Sequence, residues 1–221
     1  MRAAIVSASE ALERSPAAFS SFRRSRCNGR YWTRTDAGGF LQNKDVSPSE
    51  AVRDIFRNGR QYAFECATAV IIVLYKAVLE TIGDSAFNRL FADLYLHSWN
   101  HDTDLQLITE YGRRDTYPGD VLYFQNPDVD PATPEWQGEN TVKMPKGLYY
   151  GHGIGIKNED GIIAKLNRHR KKGSTVSAHL LDEATYPNFL YIQQEAEAGY
   201  SPAATAGRRG RLSGGSAHGP G

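Results

Sequence analysis

The chain has 221 residues, of which 40% are hydrophobic and 23% are charged. These proportions match ordinary globular domains and exclude collagen-like, coiled-coil and fully disordered chains. The 26 basic and 25 acidic residues leave a formal net charge of +1, so the chain lacks the broad positive field that binds a phosphate backbone. We therefore expect one compact domain with tails, and no nucleic-acid partner.

The cysteine content and the longest apolar stretch indicate in which cellular compartment the protein is expected. Cys27 and Cys66 are too few for a disulfide framework, which predicts a reduced, intracellular protein. Residues 1–6 contain no apolar run of signal-peptide length. The most apolar stretch, residues 63–79, contains charged residues and is shorter than the roughly 20 residues that a membrane span needs. It is predicted to be a buried helix, and no membrane span is expected.

The first hundred residues are predicted to be mainly helical. Ser47, followed by proline and then by Glu50, is typical of a helix start with a capping box. Apolar residues at helical spacing and turn-forming residues between them define the other elements. The predicted helices cover residues 3–14, 16–22, 48–58, about 63–82 and about 85–96, and residues 30–42 are predicted to form a hairpin.

After Trp99 the pattern changes to short strands. The predicted strands are residues 121–124, 141–144, 149–156 and 161–164, with a proline-rich loop over 126–134. Helices followed by a run of strands predict an α+β fold with helices packed on an antiparallel sheet. We expect a single domain over residues 1–198 and a disordered tail over 199–221, because the tail is rich in glycine and arginine and poor in apolar residues.

Cys66 is the most informative candidate residue. It lies in the first turn of the long predicted helix, where the partial positive charge of the helix end favours a thiolate. A thiolate is the reactive form in acyl transfer. The alternative is a structural role, since unpaired cysteines are often buried in a core.

A nucleophilic cysteine needs a base, and two distant segments offer one. Glu139 follows a tight turn close to Trp136, and an indole beside a carboxylate would raise its pKa towards a useful range. His152 lies between two glycines on a predicted strand. A helix with cysteine followed by a strand with histidine is the chain order of papain-like cysteine hydrolases. Either residue can equally be structural, so both assignments stay open here.

A metal site is not expected. His97 and His101 have a spacing that can bind zinc on a helix, but the glutamate of the metalloprotease motif and an obvious third ligand are absent from the sequence around them. The basic run 168–172 is typical of a solvated face, or of a surface that holds an acidic partner.

Several segments together resemble a known family, the spore-associated protein-glutamine gamma-glutamyltransferases of Bacillus-type bacteria. The similarity covers about residues 1–185, and its motifs occur in the family's order. The segments that carry it are Tyr62–Thr81, Phe87–Phe91, Gly119–Phe124, Trp136–Asn140, His152–Ile156 and Leu166–Gly173.

The resemblance implies a transglutaminase with a papain-like core of the NlpC/P60 type. It implies that Cys66 is the nucleophile, Glu139 the catalytic glutamate and Glu65 a partly redundant second choice. The residues that it places in supporting roles are Trp99, Trp136 and His152. It also implies that no calcium or other cofactor is needed, that the partners are glutamine- and lysine-bearing proteins of the spore coat, and that the protein occupies the mother-cell cytoplasm and the coat.

Three departures from the family pattern are visible, and one is that the tail after about Tyr191 does not match. Ser98 stands where the family has an aspartate, and the family has a further N-terminal segment before the position of Met1, so we expect a shortened N-terminus. The expected activity is isopeptide cross-linking through a cysteine thioester. The alternatives are a cysteine peptidase or deamidase that uses Cys66 with His152, and an inactive scaffold protein.

Overall fold

A seven-stranded antiparallel sheet and five helices make up most of the computed structural model, which describes residues 1–112 and 115–199. The helices are α1 (Arg2–Arg14), α2 (Pro48–Arg57), α3 (Cys66–Leu90), α4 (Glu159–Asn167) and α5 (Phe189–Gly199). The strands are β1 (Ala18–Phe19), β2 (Trp32–Arg34), β3 (Phe40–Gln42), β4 (Ala63–Phe64), β5 (Tyr95–Leu96), β6 (Leu107–Tyr111), β7 (Val121–Gln125), β8 (Gly138–Lys143), β9 (Leu148–Gly151), β10 (Gly155–Asn158), β11 (His179–Leu180) and β12 (Glu183–Pro187).

The main sheet has the strand order β10-β9-β8-β7-β12-β6, with β11 beside β7. Successive side chains of a strand point to opposite faces, so the sheet has two different sides. One face packs on α1 and α3, and the other packs on α4. This arrangement confirms the predicted α+β class with helices on an antiparallel sheet, and it is consistent with a papain-like core.

Helix α3 is the centre of the core. Each residue from 69 to 74 is at most 1% exposed, so the helix is buried on all sides there. Among the described residues, α3 has the length and composition of a membrane-crossing helix, but 72% of its most apolar window is buried inside this fold. The prediction of a buried helix is therefore confirmed.

Two predicted helices and the predicted hairpin were right, and one predicted helix was wrong. Helix α1, helix α2 with its Ser47 cap and the hairpin of β2 and β3 lie where they were predicted. Apart from a short 3-10 helix that begins at Phe22, the segment after Ser15 forms no helix. It contains β1, which pairs in parallel with β4, because the amides of Ala18 and Ser20 donate to the carbonyls of Tyr62 and Phe64.

The predicted helix over residues 85–96 is also shorter than expected. Gly83 has a positive φ of 78°, which interrupts the helical backbone, and α3 then continues only to Leu90. Residues 95–96 form β5, which pairs with β3. Apolar residues at positions 91, 94 and 96 are buried against the core from a loop and a strand.

Two predicted strands differ in the structure. Residues 149–156 form two antiparallel strands, β9 and β10, joined by a turn at His152–Ile154. Residues 161–164 lie inside α4. Asn158 caps that helix by accepting a hydrogen bond from the amide of Gly161, and Ile162 and Leu166 bury one face. The first prediction missed the turn between the two strands, and the second assigned a strand to residues that form a helix.

The tail lies almost wholly outside the described residues. Gly199, the first residue of the predicted disordered segment 199–221, is the last residue of α5. Residues 200–221 are not among the described residues.

Candidate active site

Cys66 is the first residue of α3, and Glu65 fixes the start of that helix. The Glu65 carboxylate accepts hydrogen bonds from the amides of Ala67 (2.8 Å) and Thr68 (2.7 Å). It also accepts one from the Thr68 hydroxyl at 2.7 Å. The residue before the helix therefore acts as its N-cap, and this cap orients the cysteine.

The Cys66 thiol lies between α3 and β8. Its sulfur accepts a hydrogen bond from Nδ2 of Asn140 at 3.4 Å, and it lies 3.7 Å from Oε2 of Glu65. Burial raises the pKa of the thiol well above its usual range, and the charges of Glu139 and Glu65 raise it further, while hydrogen bonds from Asn140 oppose the shift. The buried surroundings therefore favour the protonated thiol, against the thiolate that a helix start favours. A base has to take the proton as the sulfur reacts.

Glu139 supplies a buried carboxyl group whose charge acts on the thiol. It lies on β8, is 1% exposed, and its Oε1 has no hydrogen-bond partner among the described residues. Burial raises the pKa of this carboxyl well above its usual range, and the charge of Glu65 adds to the shift. Its side chain packs over Gly151, where a Cβ atom would lie 2.9 Å from Oε1. Packing against Gly151 therefore helps to hold the group in place.

Trp136 does not line the cleft next to Cys66. Its indole stacks on His169, with the ring centroids 4.3 Å apart, and also contacts Phe19 at 5.0 Å. The prediction that Glu139 has a raised pKa agrees with the structure. The cause, however, is burial within the sheet and the charge of Glu65.

Trp99 lines the cleft and is 36% exposed. The residue before it, Ser98, has a positive φ of 53°, which is uncommon for a residue with a side chain. The Ser98 amide donates to the Thr68 hydroxyl at 3.0 Å, and this hydroxyl donates to Glu65. A chain of hydrogen bonds thus ties the tryptophan loop to the cap beside Cys66.

His152 is not among the residues that line the cleft next to Cys66. One ring nitrogen is 3.1 Å from the carbonyl of Ala18 and the other is 3.1 Å from the hydroxyl of Tyr150. Its ring stacks on Phe64, with centroids 4.7 Å apart. Burial lowers the pKa of His152 to about 4, so the ring is neutral near pH 7. Both nitrogens are already engaged, which leaves neither for the proton of Cys66.

A cleft of about 840 Å³ opens in front of the thiol. Besides Cys66, Glu65 and Trp99, its lining residues include Tyr123 and Asn140, to which sequence analysis assigned no role. These two are direct partners on β7 and β8 and share one face of the sheet. Asn140 directly follows the predicted Glu139 in β8, and this neighbouring position was the sequence signal that could have identified it.

No metal site is formed by the described residues, since they contain no group of three or more histidine, cysteine, aspartate or glutamate side chains that could hold an ion. His97 stacks on Phe22, with centroids 4.4 Å apart, and on Tyr95 at 5.9 Å. His101 lies 2.6 Å from the carbonyl of Trp99 through Nδ1.

Comparisons with known proteins agree with this picture. A sequence model of the family "Protein-glutamine gamma-glutamyltransferase" matches residues 1–196. A structure of the transglutaminase from Geobacillus stearothermophilus, without its C-terminal extension, superposes with a TM-score of 0.84 at 57% identity. It covers 87% of this chain and 92% of that chain. The chain belongs to the protein-glutamine gamma-glutamyltransferase family.

Curated relatives match this chain over only part of their own length. The protein-glutamine gamma-glutamyltransferase of Bacillus cereus strain B4264 is 48% identical over 178 residues, which are 80% of this chain and 64% of that protein. The protein of the same name from strain 03BB102 is 47% identical over 185 residues, 84% of this chain and 67% of that one. This chain thus spans about two thirds of the length of these relatives.

Proposed function

We propose that this chain is a transglutaminase, which joins the γ-carboxamide of a protein glutamine to the amine of a protein lysine and releases ammonia. One observation carries the proposal. A buried thiol at a helix start opens onto a cleft, and the charges of two carboxyl groups act on it, while His152 is engaged elsewhere. A thiol and a carboxylate can exchange one proton in both halves of an acyl transfer.

In the first half, Sγ of Cys66 attacks the carboxamide carbon as its proton passes to Glu139. The backbone amides of Ala67 and Thr68 already donate to Glu65. The amide of Cys66 therefore remains as the donor in the first helical turn that can stabilise the oxyanion. Collapse of the tetrahedral intermediate breaks the carbon–nitrogen bond. Ammonia leaves with the proton from Glu139, and a thioester remains on Cys66.

In the second half, an amine attacks the thioester carbon and gives a proton to Glu139. The carbon–sulfur bond breaks, the proton returns to sulfur, and an isopeptide bond is released. Transfer requires that water reaches the thioester less often than the amine does. Trp99 at the cleft is placed to shield the thioester and to contact the apolar stem of a lysine side chain.

Glu65 is the second candidate base, as the family resemblance implies. Its Oε2 lies 3.7 Å from Sγ, but the same carboxylate accepts three hydrogen bonds from the first turn of α3. These bonds commit the carboxylate to capping the helix. We assign Glu139 as the main base and Glu65 as the helix cap, with a residual capacity to accept the proton.

The rival function is hydrolysis by a peptidase or deamidase of the same fold. Its histidine would be His152, whose ring nitrogens face Ala18 and Tyr150.

A third possibility is an inactive scaffold, which predicts that a thiol reagent labels Cys66 no faster than Cys27. The open cleft in front of Cys66 favours an enzyme over a scaffold.

The wider setting follows the family resemblance. We infer that the substrates are spore coat proteins, that the enzyme acts in the mother-cell cytoplasm and on the coat, that the core is of the NlpC/P60 type, and that calcium is not required. A chelator should accordingly leave the reaction rate unchanged.

The test measures incorporation of a labelled primary amine into a blocked glutaminyl-glycine peptide. Wild type and Cys27→Ala should form the amide product, whereas Cys66→Ala should form none above background. Glu139→Ala should lose at least about a hundredfold in rate, and Glu65→Ala less. Release of only glutamate and ammonia by the wild type would establish hydrolysis. Full activity of Glu139→Ala beside an inactive Glu65→Ala would reverse the two assignments.

A further inference from the structure

The cleft extends from Cys66 along one face of the main sheet, towards the edge formed by β12 and β6. Alternate residues of β6 line it with Leu107, Thr109 and Tyr111, and alternate residues of β12 line it with Glu183 and Thr185. The pairing of these strands places Tyr111 opposite Glu183 and Thr109 opposite Thr185. Because side chains two apart in a strand share a face, these five form one continuous wall.

Glu183 lies on the part of this wall that leads to the thiol. Thr185 pairs with Val121 of β7, so Glu183, two residues earlier, lies towards Tyr123. Consistent with this register, the pKa of Tyr123 is raised to about 12, mainly by burial, and the charge of Glu183 is one of the further causes. Tyr123 in turn pairs with Asn140, which contacts the sulfur. With strands about 4.8 Å apart, Glu183 begins roughly 10 Å from Asn140.

The charge of the lining is of one sign. The carboxylates at the cleft are those of Glu65, Glu135 and Glu183, and none of the described residues that line it is lysine or arginine. Glu65 is committed to the helix cap, whereas the Glu183 carboxylate forms no ion pair with another described residue. A cleft lined by negative charge raises the local concentration of cations.

We propose that Glu183 captures the acyl acceptor, by holding the protonated amine of a lysine side chain before it advances past Tyr123 to the thioester. The inference rests on the proposed function and names a specificity residue for it. Tyr111, which is 76% exposed, and Leu107 offer apolar surface to the stem of the same side chain. The glutamine carboxamide is uncharged, so the donor gains nothing from Glu183. The carboxylate of Glu183 takes no part in bond making.

The experiment compares a cationic and a neutral acceptor in wild type and in Glu183→Gln, which keeps the side-chain shape. Cadaverine is a cation at pH 8, whereas hydroxylamine is uncharged there and forms a hydroxamate with the same thioester. Glu183→Gln should raise the KM for cadaverine about three- to tenfold at low salt, with kcat unchanged. The kinetics with hydroxylamine and the KM for the glutaminyl peptide should not change. Glu10→Gln, on the exposed side of α1, is the matched control and should behave like wild type.

The outcomes separate this inference from the function on which it rests. An unchanged KM for cadaverine in Glu183→Gln overturns the inference and leaves transfer intact. Equal losses with both acceptors also overturn it, because they indicate a structural role for Glu183. Failure of the wild type with both acceptors removes the proposed function, and the inference with it. A wild type that uses hydroxylamine but not cadaverine contradicts the proposed capture of a cation.

Discussion

Glu139 combines complete burial with the absence of a basic partner among the described residues. An isolated carboxylate in such a position is costly to the folded state. Packing over Gly151 holds it there, and the charge of Glu65 disfavours its ionisation further. The site thus keeps a carboxyl group that binds a proton more readily than an ordinary glutamate does. That is the property a proton shuttle between sulfur and nitrogen needs.

This environment has a measurable effect on stability. The folded state raises the pKa of Glu139, so it binds the proton more tightly than the unfolded chain does. Stability from this group is present at low pH and is lost as the pH rises through the folded pKa. Glu139→Gln removes the charge and should therefore melt a few degrees above wild type at pH 8, with a gap that narrows towards pH 5. Scanning calorimetry over this pH range measures both melting temperatures.

Glu110→Gln, on strand β6, provides a comparison for the removal of a carboxylate that is exposed to solvent. It should not reproduce this pH-dependent gain. A Glu139→Gln protein that melts below wild type at pH 8, or a gap that is the same at every pH, would contradict a buried carboxyl group that disfavours its charge.

The element scale shows what local sequence could and could not predict. Helix α2 was predicted from the capping-box pattern of Ser47 and Glu50, a signal confined to four residues. In the structure Ser47 accepts a hydrogen bond from the amide of Glu50, as that pattern predicts. Residues 161–164 were taken for a strand because a short apolar run has no decisive period. The cap at Asn158 and the spacing of Ile162 and Leu166 were the better guide.

Helix α4 provides the prediction at this scale. Loss of its cap in Asn158→Ala should cost about 1 kcal/mol, which lowers the melting temperature by roughly 2–4 °C in a domain of this size. Amine incorporation should stay unchanged, because α4 packs on the sheet near β9 and β10, away from the cleft wall. Thermal denaturation and the incorporation assay measure the two effects.

Asn158→Asp is the control, since aspartate also caps a helix and its charge suits the helix start. It should keep nearly all of the wild-type stability. Equal melting temperatures for Asn158→Ala and wild type, or an aspartate variant as unstable as the alanine variant, would show that the cap contributes nothing.

At the scale of the whole molecule, the site depends on contacts between distant parts of the chain. Cys66 and Asn140 are 74 positions apart, and only the packing of α3 on β8 brings them together. Sequence reasoning reached Cys66 and Glu139 through their motifs, but it did not give roles to Asn140 and Tyr123, whose positions depend on strand register. Strands β6 and β12 were missed because one face of each lines the cleft and lacks a buried apolar pattern.

The account depends most on the claim that the sulfur of Cys66 forms a covalent bond to the glutamine acyl group. Mass spectrometry of rapidly quenched enzyme, mixed with a blocked glutaminyl-glycine peptide without an amine acceptor, tests this directly. The account predicts that the fragment containing Cys66 gains the mass of the peptide minus ammonia, and that hydroxylamine removes the added mass. An unmodified Cys66 in an enzyme that still incorporates amines, or the same adduct on Cys27 instead, would contradict it.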